Sequence, residues 1–358
     1  MRGRGDAVGT ITYANDGEGD QLSAATANAS ITRTFDNLGR VLTCTDAAGA
    51  TVSYSYDNEG NLTSITYPGN KTVTYTYDGA NRMKTVTDWA GRVTTYTYDT
   101  AGRLIQTDRP NGTRQRLQYD AAHRLTAAFE ERGAVSIWQA AYTYDDAHRL
   151  TNAAITPMPR PFAPAPAVMT YDLDNRLATY NGQAVSSDLD GNMLAAPLHG
   201  TLLGNLTWDA RNRLVAAGNT TYAYDAQDRR TARTIAGNTT IYTWSRGAML
   251  DRLLVTANPD GSVTRYVHGL GLLYEEHEPA GGGNATTTQF YHFNWQGSTV
   301  ALSDASGNVT ARMAYSAYGE VTIEGGSGFQ LPGTLPTPFL FNGQFGVLTE
   351  PNGLYAMQ

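Results

Sequence analysis

The chain has 358 residues and a formal charge of −7, a balance that excludes the basic stripe a nucleic-acid grip requires. Its single cysteine, Cys44, excludes an intrachain disulfide and a thiolate metal cluster, and no stretch approaches the roughly 18 apolar residues of a membrane span. Charged residues make up only 16%, whereas Gly numbers 37 and Tyr 22, and Tyr alternates with Thr, a composition that favours strands over helices.

The start, Met1-Arg2-Gly3-Arg4-Gly5-Asp6, is basic, but no apolar run follows it, so it does not read as a signal peptide. Residues 1–30 are a degenerate lead-in rich in Gly, Asp and Ala. An aromatic-Asp phrase then returns every 21 residues: Phe35-Asp36 with Gly39-Arg40, Tyr56-Asp57 with Gly60, Tyr77-Asp78 with Asn81-Arg82, Tyr98-Asp99 with Gly102-Arg103, and Tyr119-Asp120 with Arg124. Looser copies stand at Tyr144-Asp145, Tyr171-Asp172, Trp208-Asp209 and Tyr224-Asp225. An unbroken period of this kind marks a repeat architecture, in which one unit buries its apolar face only against the next. Residues 31–232 are therefore read as one repeat array and 233–358 as a C-terminal part of the same body.

Residues 72–92 serve as the type unit. Val73, Tyr75 and Tyr77 alternate with threonines, a period of two that puts the large side chains on one sheet face. Asp78-Gly79-Ala80-Asn81 is a turn in which the Asp accepts backbone N–H groups two residues on and the Asn takes the left-handed conformation. Arg82–Thr87 forms the return strand, and a second turn closes the unit, which is thus two strands and two turns. Gly39, Gly60 and Gly102 fill the slot of Asn81, where positive φ is needed. The arginine that follows either pairs with its turn aspartate or stacks on the tyrosine of the next unit; the alternative is that it is merely solvated.

Further on, Thr156-Pro157-Met158-Pro159 opens a Pro/Ala segment that reads as an excursion from the sheet. Residues 188–193 look like a repeat lacking its tyrosine, and 325–338 form a Gly/Pro loop. Glu275-Glu276-His277-Glu278 is the densest ionisable cluster. Glu276 and Glu278 could share a side with a metal or proton, but a solvated hairpin end is the preferred reading. His123 and His148 occupy the Gly/Asn turn slot and are read as turn formers; no histidine has metal-ligand spacing. The turn aspartates recur in step with the turns, which argues against an aspartyl dyad. No catalytic residue, cofactor site or metal site is assigned.

These phrases resemble the YD repeats of Rhs proteins, of the C component of Tc insecticidal toxins, and of the teneurin YD shell. The stretch from Tyr291 to Asp304, with Gly297 and Ser298, is similar to the Rhs core-associated segment. So are Tyr318-Gly319, Phe341 with Gly343, and Gly353-Leu354-Tyr355. The resemblance implies an all-β fold, a spiral antiparallel sheet forming part of a hollow shell, with about two strands per 21-residue repeat. It implies a structural, non-enzymatic role, in which the wall encapsulates a C-terminal toxin polypeptide with the help of further shell segments and a secretion machinery. In that family an aspartyl autoprotease motif follows the Gly-Leu-Tyr phrase; this sequence stops before it, which is read as a larger shell's C-terminal part or a truncated product. Secretion by a route not encoded in this chain is expected, and a lone segment with open sheet edges is expected to self-associate. Two alternatives are an autoprocessing core, if the motif follows in the full gene, and an adhesion surface whose outward Trp89, Trp138 and Trp208 stack on glycans.

Overall fold

Every aromatic-Asp phrase closes a hairpin of one design. In the type unit Asp78 N–H donates to Arg82 O at 2.9 Å, Asn81 N–H donates to Asp78 O at 3.0 Å, and Asn81 has φ 57°. Pairing runs Tyr75 with Val86 and Thr76 with Thr85, then jumps to Tyr77 with Met83. This is a type I turn followed by a left-handed residue and a bulge. The bulge leaves the expected face in place: Tyr77, half-buried, packs against the same core as Val73 and Tyr75. On the outer face Thr76 and Thr85 hydrogen-bond at 2.6 Å.

The protein, seen in a computed structural model, is described over residues 2–6, 9–27, 29–157, 166–198, 201–247, 251–282, 286–316, 319–323 and 335–356. Among these, fifteen strands from Arg2–Asp6 to Leu150–Thr156 form one antiparallel sheet in sequence order. Twelve more, from Leu206–Trp208 to Val321–Ile323, form a second. Between them lie Met169–Tyr171, Leu177–Tyr180 and Gln183–Ala184 in a three-stranded sheet, and a two-stranded hairpin. A closing hairpin, Leu348–Thr349 with Tyr355–Ala356, follows a single 3-10 turn, Gly343–Phe345; the described residues include no α-helix. The fold is all-β, as expected.

The lead-in supplies the first strands of the first sheet, and Arg230–Ile235 runs through the 232/233 boundary. The first sheet instead stops at Thr156, where the Pro/Ala segment begins; residues 158–165 of that segment, and most of the 325–338 loop, lie outside the described residues.

The sheets stack in layers. Val52, Tyr54, Tyr67, Val73, Tyr75, Val86 and Tyr96 of the first pack against Leu254, Val267, Leu273, Tyr274 and Phe290 of the second. The second sheet's other face carries Tyr242, Trp244, Tyr266, Tyr291 and Leu302, which pack against Phe339, Leu340 and Leu348 of the closing segment. Gly269 marks how close the first two layers come, because a Cβ there would overlap the Tyr96 hydroxyl. Cavities of about 480 and 310 Å³ remain between elements.

Candidate functional site: the wall ladder and the clasps between sheets

The repeat residues assemble into a ladder along the hairpin edge. Asp78 Oδ1 accepts from Ala80 N–H at 2.9 Å and Arg82 N–H at 3.1 Å, and its Oδ2 accepts from Arg82 Nε at 2.8 Å. Donation by the Arg82 side chain, then its backbone, lowers the Asp78 carboxyl to about 2. Asp36, Asp99, Asp120, Asp145 and Asp209 hold their own arginines in the same way, each at 2.7–2.8 Å. The guanidinium then reaches the next unit. Arg40 lies over Tyr56 (4.7 Å), Arg82 over Tyr98 (4.5 Å), Arg103 over Tyr119 (4.9 Å), Arg124 over Tyr144 (5.0 Å) and Arg213 over Tyr224 (4.9 Å). Arg40 Nη1 also donates to Asp57 O at 3.1 Å, and Arg103 Nη1 to Asp120 O at 3.2 Å. Pairing and stacking are thus made by one side chain, and these arginines are not merely solvated.

Each tyrosine completes the rung by donating its hydroxyl to the carbonyl just after the preceding arginine slot. Tyr56 bonds Val41 O, Tyr77 bonds Leu62 O, Tyr98 bonds Met83 O and Tyr119 bonds Leu104 O, at 2.8–3.1 Å. Tyr144 bonds Leu125 O, Tyr224 bonds Leu214 O, and Trp208 Nε1 bonds Met193 O at 2.7–2.8 Å. Phe35 has no hydroxyl to offer. Gly39, Gly60 and Gly102 have φ of 73°, 89° and 81°, and His123 and His148 fill the same slot at 64° and 61°. Tyr171 and Asp172 stand apart: Tyr171 is exposed, although Asp172 caps its own turn. Asp225 is buried and pairs with Arg246.

The core-associated residues gather elsewhere, where the closing segment docks. Ser298 Oγ accepts from Asn342 N–H at 3.1 Å, and the Gly297 position faces the Phe345 ring. Tyr355 donates to Gly319 O at 2.5 Å and packs on Phe341, ring centres 5.6 Å apart. Gly343 opens the 3-10 turn, and Gly353 and Leu354 shape the last one, with Gly353 N–H on Glu350 O at 2.8 Å. Tyr318 lies outside the described residues.

Two polar clasps cross between the sheets, and neither was foreseen. In one, Arg92 bridges Asp88 and Glu276, Glu276 also accepts from Trp89 Nε1 at 3.0 Å, and the Tyr274 hydroxyl donates to Asp88 at 2.9 Å. In the other, Arg109 grips Glu130 through two bonds of 2.8 and 3.1 Å. Glu130 Oε2 accepts from His292 Nδ1 (2.9 Å), and His292 Nε2 accepts from Ser303 Oγ (2.8 Å), which is also bonded by Asn111. Burial alone would raise the Glu130 carboxyl, but Arg109 and His292 outweigh it and hold it low, which fixes the proton on Nδ1; burial holds the imidazole neutral. Serine, histidine and carboxylate thus stand in the order of a hydrolase triad. Ser303 and His292 are both 0% exposed, however, so no substrate reaches the hydroxyl and the chain of bonds acts as a clasp. One signal was available: Ala128 and Glu130 share a strand face, which placed a carboxylate in an apolar wall.

The Glu275–Glu278 cluster is corrected. It lies within the strand Leu272–Glu278, and Glu275 and Glu276 are buried rather than solvated, because layers cover both faces of this sheet. Glu275 accepts from Tyr291, Thr337 and Gln289, and burial pushes its carboxyl up to about 7 against those bonds. The tryptophans proposed to face glycans are also corrected. Trp138 is buried, Trp89 is tied to Glu276 and the Tyr67 ring, and Trp208 is a ladder rung. Among the described residues, Asp16, Glu18 and Asp20 bring carboxylates together, but Asp16 Oδ1 is engaged by the backbone of Glu18 and Asp20.

Residues 5–152 match the family model described as Teneurin YD-shell. Over that stretch the chain is similar to the YD-shell family. Across 43% of its length it is 29% identical to the tRNA3(Ser)-specific nuclease WapA of Bacillus spizizenii, and 26% identical to the tRNA nuclease WapA of Bacillus subtilis. It spans only 6% of the length of either. A Tc holotoxin pore structure of Photorhabdus luminescens is similar over 97% of this chain and 25% of that one, with a TM-score of 0.58 at 14% identity. The TcdB2-TccC3 crystal structure is similar over 97% and 22%, with a TM-score of 0.54 at 17% identity. At these identities the structural likeness establishes the YD-shell fold. No helix among the described residues is long and apolar enough to cross a membrane.

Proposed function

We propose that the chain is a stretch of container wall, which encloses a toxin polypeptide at its C-terminal side and performs no catalysis itself. The observation that carries this reading is the ladder: arginines such as Arg82 and Arg103 and tyrosines such as Tyr98 and Tyr119 bridge two units, so the repeat builds extended wall rather than a pocket. The cavities of about 480 and 310 Å³ are of small-molecule size, far too small for a polypeptide, so in this reading the volume for a cargo is supplied by wall beyond these residues. In this reading the nuclease activity in the names of the WapA relatives belongs to the rest of their length, and any autoprocessing belongs to residues that follow this stretch. Enclosure keeps an unfolded toxin's apolar segments from aggregating, and export proceeds by a route encoded elsewhere.

The test is to express the complete gene product and digest it with a nonspecific protease. A polypeptide downstream of Tyr355 that survives while the wall is intact, and is digested once mild urea opens it, supports the reading. A downstream polypeptide cut as fast as free unfolded chain, or none in the complete product, overturns it.

A further inference from the structure

The repeat is broken at one cross-strand pair facing the interior. Two residues before the ladder tyrosine, successive units carry Tyr54, Tyr75 and Tyr96, spaced 21 residues apart, and these pair across the hairpin with Ile65, Val86 and Thr107. The three rings are buried and reach toward the second sheet, where the Tyr54 hydroxyl accepts from Arg246 N–H at 2.8 Å and the Tyr96 hydroxyl from Leu270 N–H at 3.2 Å. The next unit sets Leu117 opposite Ala128. Both members of the pair are shortened at once, tyrosine to leucine and a branched side chain to a methyl group. Volume removed from a packed interior leaves a cavity wherever the surroundings relax only in part. A cavity of about 310 Å³ borders both residues, and Phe293 and Trp295 bring the second sheet to it.

The lining decides what this space accepts. It is mostly apolar, it includes four aromatic rings (Tyr142, Tyr144, Phe293 and Trp295), and none of its side chains is charged. A charged molecule would leave water there without a counter-charge. Its polar groups are largely engaged. The Gln115 side chain donates to Glu130 at 2.9 Å, the Asn294 side chain accepts from Gln296 and Ser298 N–H at 3.0 and 2.9 Å, and Tyr144 donates to Leu125 O. Tyr142 differs. It is 5% exposed, its hydroxyl oxygen faces the Trp295 backbone N–H, and among the described residues no acceptor takes the hydroxyl proton. Trp295 and Leu150, both exposed, stand at the rim.

We propose that this cavity binds a small, uncharged aromatic molecule carrying a hydrogen-bond acceptor, which takes the Tyr142 hydroxyl proton while its ring lies among the four aromatic side chains. The volume falls at the lower end of small-molecule sites, and an apolar cavity of roughly 150 Å³ already holds a benzene ring. A buried hydroxyl whose proton goes unaccepted is costly, and the ligand's acceptor removes that cost. Offset or edge-on contacts with the surrounding rings supply the remaining attraction. Enclosing a polypeptide requires none of these features, so the inference does not rest on the container reading and can fail without it.

Calorimetric titration of the full chain with three probes of similar shape tests it: acetophenone, ethylbenzene, which lacks the acceptor, and benzoate, which adds a charge. Acetophenone is expected to saturate the site, ethylbenzene to bind about three- to tenfold more weakly, and benzoate not to bind. Tyr142→Phe is expected to lower acetophenone to the affinity of ethylbenzene. Leu117→Phe, which restores a ring where the preceding units carry one, is expected to fill the cavity and abolish binding of both. Should that variant unfold, Trp295→Ala at the exposed rim is expected to weaken both by at least about threefold while leaving the core intact. No saturation by acetophenone at about 1 mM, equal affinity for benzoate, or acetophenone binding that Tyr142→Phe or Leu117→Phe leaves unchanged overturns the proposal.

Discussion

The two large sheets use the same hairpin but differ in what covers them. In the first, burial alternates along strands such as Val93–Tyr98, because one face meets the second sheet and the other meets water. In the second, Arg252–Ala257, Val263–His268 and Thr299–Ser303 are buried almost without interruption, because layers lie on both sides. The difference decides how polar side chains are handled. On the first sheet's outer face they pair as Thr–Thr contacts half in water; within the layers each needs a complete set of partners.

Glu130 and Glu131 offer the sharpest test, since they are neighbours on one strand facing opposite ways. Glu130 is held by Arg109 between the sheets, with side-chain exposures of 1% and 4%. Glu131 is held by Arg116 outside, at 18% and 39%. Arg109→Met leaves a buried carboxylate short of its cation and is expected to cost about 3–5 kcal/mol, read from urea unfolding. Arg116→Met is expected to cost less than about 1 kcal/mol. Similar losses would mean the two faces are not different environments.

The turns, the left-handed slot and the arginine's two partners were legible in the sequence because they are local: Asp78, Asn81 and Arg82 lie within five residues and dictate their own geometry. The layers were not. Nothing in Glu275-Glu276 says that a closing segment will cover one carboxyl and the first sheet the other. The clasp of Glu130, His292 and Ser303 joins residues 162 positions apart. The tyrosine face was legible as well, since Tyr77 packs against the same core as Val73 and Tyr75 despite the bulge.

Glu275 sharpens the contrast through pH. Its carboxyl titrates near 4.5 when unfolded and about 7 in the fold, so between these values the folded state binds more protons. Its contribution is present below about pH 4.5 and is lost as pH rises through about 7. Buried neutral His268, lowered to about 3 by burial and by Arg252, gives the opposite slope up to about pH 6.5, so the wild-type profile conceals both. The difference between Glu275→Gln and wild type isolates the carboxyl. Relative to wild type the variant is expected to gain on the order of 3 kcal/mol between pH 4.5 and 7.5. A flat difference would mean that Glu275 is not enclosed by the closing segment.

The smallest effect belongs to the ladder, where half-exposed charges pair and stack. Arg103→Lys keeps the charge but loses the fork that holds Asp99 and Asp120 O and the flat face over Tyr119. A loss of about 0.5–1 kcal/mol is expected, because water competes for each partner. Arg149→Lys is the informative companion. If Arg149 serves only Asp145, as its exposure indicates, the change is expected to lie within about 0.3 kcal/mol of wild type, since a lysine supplies an exposed partner almost as well. A loss as large as that of Arg103→Lys would mean that Arg149 has a further partner.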